Sequence, residues 1–437
     1  METMLKAPFF CKLGSIFGLF LGVILFFNIL IQLELEETLL KNQRKYVDYY
    51  NKKILEGAQI TFNQSNLQVN VALSNNFFKT ATTSSTADSS SSNVNSNLIS
   101  NNNILSTTGY DVTLISQASE SRLLFLQEII KRWHGPISVA FYSSYTENPD
   151  VSIDILKTQA IDTLQKQIDE FHFPSRVYIS ILAYPDTIYP YNALRNEAIS
   201  HVTTSHYFVC DMDLFPANNT YEAILSLPQS LLSDEWAAII VPAYEYKLTG
   251  KLCFSFKQCV DMVGPKLPYD IPSLKSCMDD NELCRPFRIR QGVHEYHPDC
   301  FFDTDKPKPK YTVLSCFYSV KQEPYVIVKR SSHLPSFDPN FVNYGKDKIS
   351  WIENLRYIGY KYYVMTETFG IDFPHPKSDF YKKWAKTVRA GGNDAAPASQ
   401  YYKQFLRDLH KKKSNATVHI CSNRDRSIYT KCSLVSQ

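Results

Sequence analysis

The chain has 437 residues, enough for two or three average domains or for one large domain with appendages. Its formal net charge of +3 gives no support to a nucleic-acid binder, which concentrates basic residues on one face. Its 28 Tyr and 27 Phe against only 14 Gly suit a packed body with aromatic-lined clefts.

Lys6 and Lys12 precede an uncharged run from Leu13 to Leu33, about 21 residues and long enough to cross a bilayer as a helix. Glu34, Glu36 and Glu37 follow, so the charge bias predicts a cytoplasmic N-terminus and a luminal remainder. The run exceeds a typical signal-peptide core and no small-x-small cleavage site follows, which favours an uncleaved anchor. From Ser74 to Thr108 the composition turns to Asn, Ser and Thr, a stretch with too little apolar surface to offset its ordering entropy. It reads as a stem.

Folded structure is expected from Tyr110. Asp111–Ile115 is a strand candidate, and Arg122–Arg132 repeats Leu123, Phe125, Leu126, Ile129 and Ile130 at helical spacing. Gly135-Pro136 breaks that helix. Strand Ile137–Tyr142, helix Asp154–Phe171, strand Val177–Leu182 and helix Asn192–His201 follow, then a strand at Tyr207–Cys210. This alternation predicts an α/β fold with a mostly parallel central sheet. Further strands are expected at Ala237–Val241, Val326–Lys329 and Lys361–Met365, with a helix at Lys348–Arg356 and helical spacing over Phe380–Lys413. Residues 250–310, rich in Cys and Pro, read as irregular and disulfide-pinned. Cys210 reads as a buried thiol, and the eight cysteines from Cys253 to Cys432 as disulfides of an oxidising compartment. Neighbour pairing (253–259, 277–284, 300–316, 421–432) is the simplest choice among 105 connectivities. Sequons at Asn63, Asn218 and Asn415 fit a secretory route, with Asn218 close to the segment discussed next.

That segment is YFVCDMDLFP, Tyr207–Pro216. Its apolar run ends in two carboxylates, and Pro216 marks the strand end. Residues i and i+2 of an extended chain share one face, so Asp211 and Asp213 are expected to point at one spot. Such a pair suits a hard divalent cation that keeps positions open for phosphate oxygens. A solvated surface turn is the competing reading of a bare D-x-D. Ligands of open α/β sheets sit at the carboxyl ends of strands, where this pair stands.

Ordered blocks along the chain carry a resemblance: DVTLISQAS at Asp111, GPISVAFY at Gly135, YPYNALRNEAI at Tyr189, YFVCDMDLFP at Tyr207 and AAIIVPAYE at Ala237. QEPYVIVKR at Gln322, SFDPNFVNYGKDKI at Ser336 and FPHP at Phe373 continue it. Over roughly residues 110–410 the chain resembles glycosyltransferase family 49, the LARGE-type enzymes and their beta-1,4-glucuronyltransferase relatives. The resemblance implies a GT-A nucleotide-sugar-binding domain, a single-pass type II Golgi membrane protein, and inverting transfer from a UDP-sugar. It also implies Mn2+ or another divalent cation at the D-x-D and a late histidine. The division then expected is a cytoplasmic tail (1–12), a transmembrane signal anchor (13–33), a luminal stem (34–109) and a catalytic domain (110–437). The partners implied are the UDP-sugar, a glycan or glycoprotein acceptor and the bilayer, with no nucleic acid.

Carried residue by residue, Asp211 and Asp213 match the D-x-D and His375 matches one histidine of an H-x-P-H block. Asp372 stands where the other histidine would be, and either of Asp372 and His375 is able to complete a metal set. Asp111, Gln117 and Arg122 fall where base and ribose would rest, with a strand-edge cap as the other reading of Asp111. Arg195 suits a diphosphate through its planar fork, or a structural ion pair with a sheet-end carboxylate. Inversion needs a carboxylate base; Glu323 is the first candidate, with Asp338 and Asp347 behind it. UDP-glucuronic acid is the favoured donor and UDP-N-acetylglucosamine its rival. A catalytically inactive lectin-like membrane protein and a metal-dependent phosphohydrolase are readings from other classes.

Overall fold

A computed structural model describes residues 109–247, 253–280, 283–288, 293–303, 307–392, 396–422 and 432. The expected tail, the anchor, all of the stem but Gly109, and the Asn63 sequon lie outside the described residues. Among the described residues no helix is long and apolar enough to cross a membrane.

The first half alternates as its periodicities require. β1 (Val112–Ser119), α1 (Leu123–Arg132), β2 (Ile137–Tyr145), α2 (Ile153–Glu170), β3 (Val177–Pro185), α3 (Tyr191–Ser200) and β4 (His206–Val209) follow in order. Then come β5 (Leu214–Pro216), α4 (Thr220–Leu225), α5 (Gln229–Ser233), β6 (Ala237–Val241), β7 (Ala243–Tyr246), α6 (Phe256–Val263) and α7 (Ile271–Asp279). β8 (Cys284–Pro286), β9 (Tyr311–Leu314), β10 (Cys316–Phe317), β11 (Tyr325–Lys329) and α8 (Asp347–Ile358) continue the chain. β12 (Lys361–Met365), β13 (Gly370–Asp372), α9 (Asp379–Gly391), α10 (Pro397–His410) and β14 (His419–Ile420) complete it.

The main sheet has the order β3-β2-β1-β4-β11-β6-β12-β9. Its β3-β2-β1-β4 half is parallel, β11 runs antiparallel between β4 and β6, and β9 is an antiparallel edge. The sheet is therefore mixed, with six of its eight strands running one way. Period-two alternation loads both faces. Leu114, Phe208 and Ile239 face a core shared with Phe125 and Ile129 of α1. Ile115, Val209 and Ile240 face a second core with Leu194 of α3 and Trp351 and Leu355 of α8. Each of these strand side chains is at most 1% exposed, and burying one contributes about 1.5–3 kcal/mol. A second sheet, β5-β13-β7-β8, branches off where β4 ends.

The 250–310 region is more regular than its composition suggests. Caps nucleate two helices there: the Ser255 hydroxyl accepts from Gln258 N at 3.2 Å. Asp270 and Ser273 form a reciprocal capping box with Pro272 in the first turn. Cys253–Cys259 and Cys277–Cys284 pair as neighbours, but the other two links are Cys316–Cys421 and Cys300–Cys432. The correction has a structural cause: β10 pairs with β14 in parallel, which sets Cys421 beside Cys316. Cys210 is a buried free thiol.

The Cys316–Cys421 link closes a separation of 105 residues, against 6 for Cys253–Cys259. Loop-closure entropy then predicts that the paired Ala replacement at 316 and 421 costs about 4–5 kcal/mol, and that at 253 and 259 about 2 kcal/mol. Urea midpoints in oxidising buffer check the order; equal losses would contradict it.

Candidate active site

The paired acids project by a different local geometry from the extended chain expected. Leu214 N–H donates to Asp211 O at 2.9 Å, closing a tight turn over Asp211–Leu214. Met212 at its centre is 1% exposed and plugs into the core. The two carboxylates on either side of it reach the cleft. The Cys210 thiol lies 3.3 Å from Leu214 O and ties the turn from beneath.

The second sheet delivers the partners. β13 runs antiparallel to β5, setting Asp372 opposite Leu214, and Phe373 N–H donates to Asp213 O at 2.7 Å. Gly370 makes this approach possible, since a Cβ there would sit 2.7 Å from Leu214 Cδ2. Beyond Phe373, the Pro-His-Pro segment brings His375 Nε2 to 2.9 Å from Asp213 Oδ2. Arg122, at the start of α1, donates to the same oxygen at 2.7 Å.

Asp211 is held by another set. Arg195 Nη2 lies at 3.2 Å from Oδ1, while Lys348 Nζ at 2.7 Å and the Tyr325 hydroxyl at 3.2 Å share Oδ2. Arg195 also meets Asp347 Oδ2 at 2.6 Å and Asn192 Oδ1 at 2.9 Å. The ion-pair reading of Arg195 is thus realised geometrically. Left-handed Asn343 and Lys346 and Gly345 at φ +107° shape the turn that feeds α8, placing Asp347 and Lys348 at the cleft.

Burial alone would raise both paired acids. Arg122 and His375 outweigh it and hold Asp213 well below the usual carboxylate range; Lys348 and Arg195 hold Asp211 down. Asp372 goes the other way, pushed well up by burial and by the Asp213 carboxylate.

These residues line a cleft of about 1760 Å³, larger than the roughly 300–1,000 Å³ of a drug-sized pocket. Gln117, Arg122, Arg195, Asp211, Asp213, Glu323, Asp347, Asp372 and His375 all lie on it. Gln117 accepts from the Tyr189 hydroxyl at 2.6 Å. Two expected residues lie elsewhere. Asp111 stands at the opposite end of β1 and accepts from Val112 N–H at 2.7 Å and from the Tyr221 hydroxyl at 2.8 Å. Asp338 accepts from Asn340 N–H at 3.0 Å and from the Tyr401 hydroxyl at 2.8 Å, bracing a loop.

Sequence reading missed Lys348, Tyr325, Arg288 and His294. Lys348 is 3% exposed, with Nζ 3.8 Å from the Tyr325 ring centroid. Its signal was present in the block that holds Asp347. Glu323 faces His294 Nε2 at 3.5 Å and Arg288 at 4.0 Å. Burial opposes its charge, but Lys348, His294 and Arg288 win and bring it down to about 2.

The donor set fits a hard divalent cation. Three carboxyls and an imidazole converge from two sheets, and among the described residues nothing donates to Asp213 Oδ1 or to Asp372. The raised Asp372 carboxyl beside Asp213 marks a repulsion that a cation would relieve. The set is loose, however. Among the described residues the group of three or more ligand atoms mutually within 4.8 Å is Asp299, Cys300 and Cys432, and there the sulfurs are committed to a disulfide.

Three histidines make stability pH-dependent. Burial lowers His206, partly offset by the Leu232 carbonyl, His294, partly offset by Glu323, and His297, partly offset by the Ala243 carbonyl; all three fall to about 4. A lowered folded value means that the neutral ring is preferred, so the contribution is complete above the unfolded value of about 6.5. It is lost as pH falls from there towards 4. Melting at pH 5 should come on the order of 5 °C below melting at pH 7. Replacing His206 by Gln should flatten that slope.

Residues 181–266, which contain the Asp211–Asp213 turn, match the family described as "Glycosyl-transferase for dystroglycan". Mouse xylosyl- and glucuronyltransferase LARGE2 is 29% identical over 272 residues, which is 62% of this chain and 35% of that protein. Human xylosyl- and glucuronyltransferase LARGE1 is 30% identical over 269 residues, 61% of this chain and 32% of that protein. The chain is similar to LARGE-type glycosyltransferases over about three fifths of its length. It spans about a third of the length of the curated relatives it matches. A crystal structure of GalNAc-T7 with UDP, GalNAc and Mn2+ overlaps 70% of this chain and 55% of that one, at 11% identity and a TM-score of 0.37.

Proposed function

We propose that this chain is a metal-dependent glycosyltransferase that moves a sugar from a UDP donor to a glycan acceptor with inversion. The observation that carries the reading is the meeting of Asp211–Asp213 with Asp372 and His375 at the carboxyl end of β4, ringed by Arg122, Arg195 and Lys348. The parallel β3-β2-β1-β4 half with this site at its end supports a GT-A domain. The names of the relatives, xylosyl- and glucuronyltransferase, support glucuronic acid and xylose alike, and glucuronic acid is kept as the proposed sugar.

Asp213, Asp372 and His375 would hold the cation, with Asp211 beside them, and when bound it would act as a Lewis acid on the leaving diphosphate. The chain's own groups set the stage. Lys348 and Arg195 fix Asp211, and Arg122 fixes Asp213, so neither carboxylate turns away. Glu323 stays the proposed base, because Asp338 is off the cleft and Asp347 is committed to Arg195. A carboxylate held near 2 takes a proton late, once the attacking oxygen has become strongly acidic. In the cell, an N-terminal anchor and stem would hold this body in the Golgi lumen.

The test is UDP release by the full chain from a panel of UDP-sugars, with Mn2+ and with chelator. Release fastest from UDP-glucuronic acid and lost on chelation is expected. Faster release from UDP-N-acetylglucosamine would overturn the donor alone. Glycan binding with no UDP release would favour a lectin, and phosphate release from simple esters a phosphohydrolase.

A further inference from the structure

We propose that His294 is a positioning residue for Glu323: its imidazole stands behind the carboxylate, and in the reacting complex its Nε2–H holds Oε1 while the other oxygen faces the acceptor hydroxyl. This rests on the transferase reading above, with Glu323 as its base, and adds the group that orients that base. His294 Nε2 lies 3.5 Å from Glu323 Oε1. The imidazole is 1% exposed and the Glu323 side chain 19%, so the cleft reaches the carboxylate and not the ring behind it. That difference decides the role: His294 acts through Glu323 and does not meet the substrate.

Stacking sets the direction of the ring. His294 lies on Phe287 with centroids 4.6 Å and planes 17° apart, and on Tyr325 at 5.1 Å and 4°. Two nearly parallel neighbours fix the plane of the imidazole and leave its nitrogens pointing along that plane. The backbone fixes the rest. Glu323 N–H donates to Val293 O at 3.1 Å, which ties the residue before His294 to the residue that carries the carboxylate. Lys348 Nζ stands 3.8 Å from the Tyr325 centroid and Arg288 Cζ 4.8 Å from that of Phe287. Burial, with these two cations nearby, outweighs Glu323 and keeps the imidazole neutral. A neutral imidazole carries one N–H, and the carboxylate selects Nε2 for it.

Packing alone does not account for a histidine here. Among the described residues neither ring nitrogen has a hydrogen-bond partner. An apolar ring would fill the same slot without burying two polar atoms. The 3.5 Å gap is a contact poised to close, since catalytic hydrogen bonds are often long in the unliganded enzyme and tighten in the reacting complex. Glu323 then takes the hydroxyl proton on its free oxygen as the acceptor oxygen bonds to the anomeric carbon. The diphosphate leaves with the electron pair of the broken bond, and the Nε2 proton stays on the imidazole throughout.

The experiment compares kcat and donor KM for UDP release by the full chain and by two replacements. His294→Phe keeps a flat ring between Phe287 and Tyr325 and has no donor. His294→Gln loses the ring and returns an amide N–H near the Nε2 position. The Phe variant should melt close to the parent and lose about tenfold to a hundredfold in kcat, the range of one hydrogen bond to a charged group. Its donor KM should stay within about twofold of the parent's. The Gln variant should be the less stable and the faster of the two. His294→Leu replaces the Phe variant if that one does not fold. In a Glu323→Gln background the change His294→Phe should cost less than about twofold, because the carboxylate it serves is gone. Parental kcat in the Phe variant, a Gln variant no faster than the Phe variant, or the full loss repeated in the Glu323→Gln background would overturn the role and leave the transferase reading standing. A parent chain that releases no UDP from any donor would overturn that reading and the role with it.

Discussion

Asn in place of Asp213 should lower UDP release by about a thousandfold, the loss expected when several kcal/mol of charge stabilisation is removed from a transition state. Asp213 is where three elements meet: the turn after β4, the start of α1 through Arg122, and the Pro-His-Pro segment through His375. Amide nitrogen in place of a carboxylate oxygen removes the negative charge paired with Arg122 and one of the oxygens offered to the metal. Asp211→Asn acts differently, since both Asp211 oxygens already accept from Arg195, Lys348 and Tyr325. It should cost less in rate and more in stability. The double variant should lose measurable turnover while keeping the circular dichroism of the parent. Retention of Mn2+-dependent release within tenfold in the double variant would remove the basis of the whole functional reading. Asp372→Asn is a finer probe: if this carboxyl shares the ion, the Mn2+ concentration for half-maximal rate should rise while rate at saturating Mn2+ is largely kept.

The parts that were legible in the sequence were those written in local periodicity. Ala237–Val241 and Lys361–Met365 match their strands residue for residue, because a short apolar run between breakers admits little else. The Asp211–Asp213 pair was legible for a chemical reason, two acids after an apolar strand, although the turn that aims them was not. An extended chain and a tight turn with a buried Met212 both send the flanking acids outward. What sequence hid was long-range. Lys348 reads as the first turn of a solvated helix, and only the packing of α8 against the sheet turns its ammonium to Asp211, 137 positions away. Asp111 was misplaced although residue order already sets it at the amino end of β1, whereas the ligand meets the carboxyl end. The nested disulfides were hidden because the β10–β14 pairing brings together residues over a hundred positions apart.

Arg195 offers the sharpest separation of architecture from chemistry. Its side chain is 4% exposed and spans Asp347 and Asp211, and these two acids outweigh burial and raise its pKa further. Removing one partner of a buried ion pair leaves the other charged and desolvated, which costs about 3–5 kcal/mol. Arg195→Met strands two carboxylates at once, so a loss in that range is expected in urea denaturation. Arg195→Lys keeps the charge but cannot span both acids with one fork, and should lose less. Adding Asp347→Asn to Arg195→Met should recover part of the loss, because the orphaned charge is then gone; the coupling measured by this cycle is the pair's own. A guanidinium whose main business was the donor's diphosphate would behave otherwise. Arg195→Met would then raise the donor KM at an unchanged urea midpoint, and the Asp347→Asn addition would restore nothing. The 2.6 Å contact to Asp347, on an element that follows Arg195 by 152 positions, argues for the first outcome. Together with the Asn192 amide, which donates to Asp347 O at 3.2 Å, that contact ties α3 to the start of α8, next to Lys348 and its bond to Asp211.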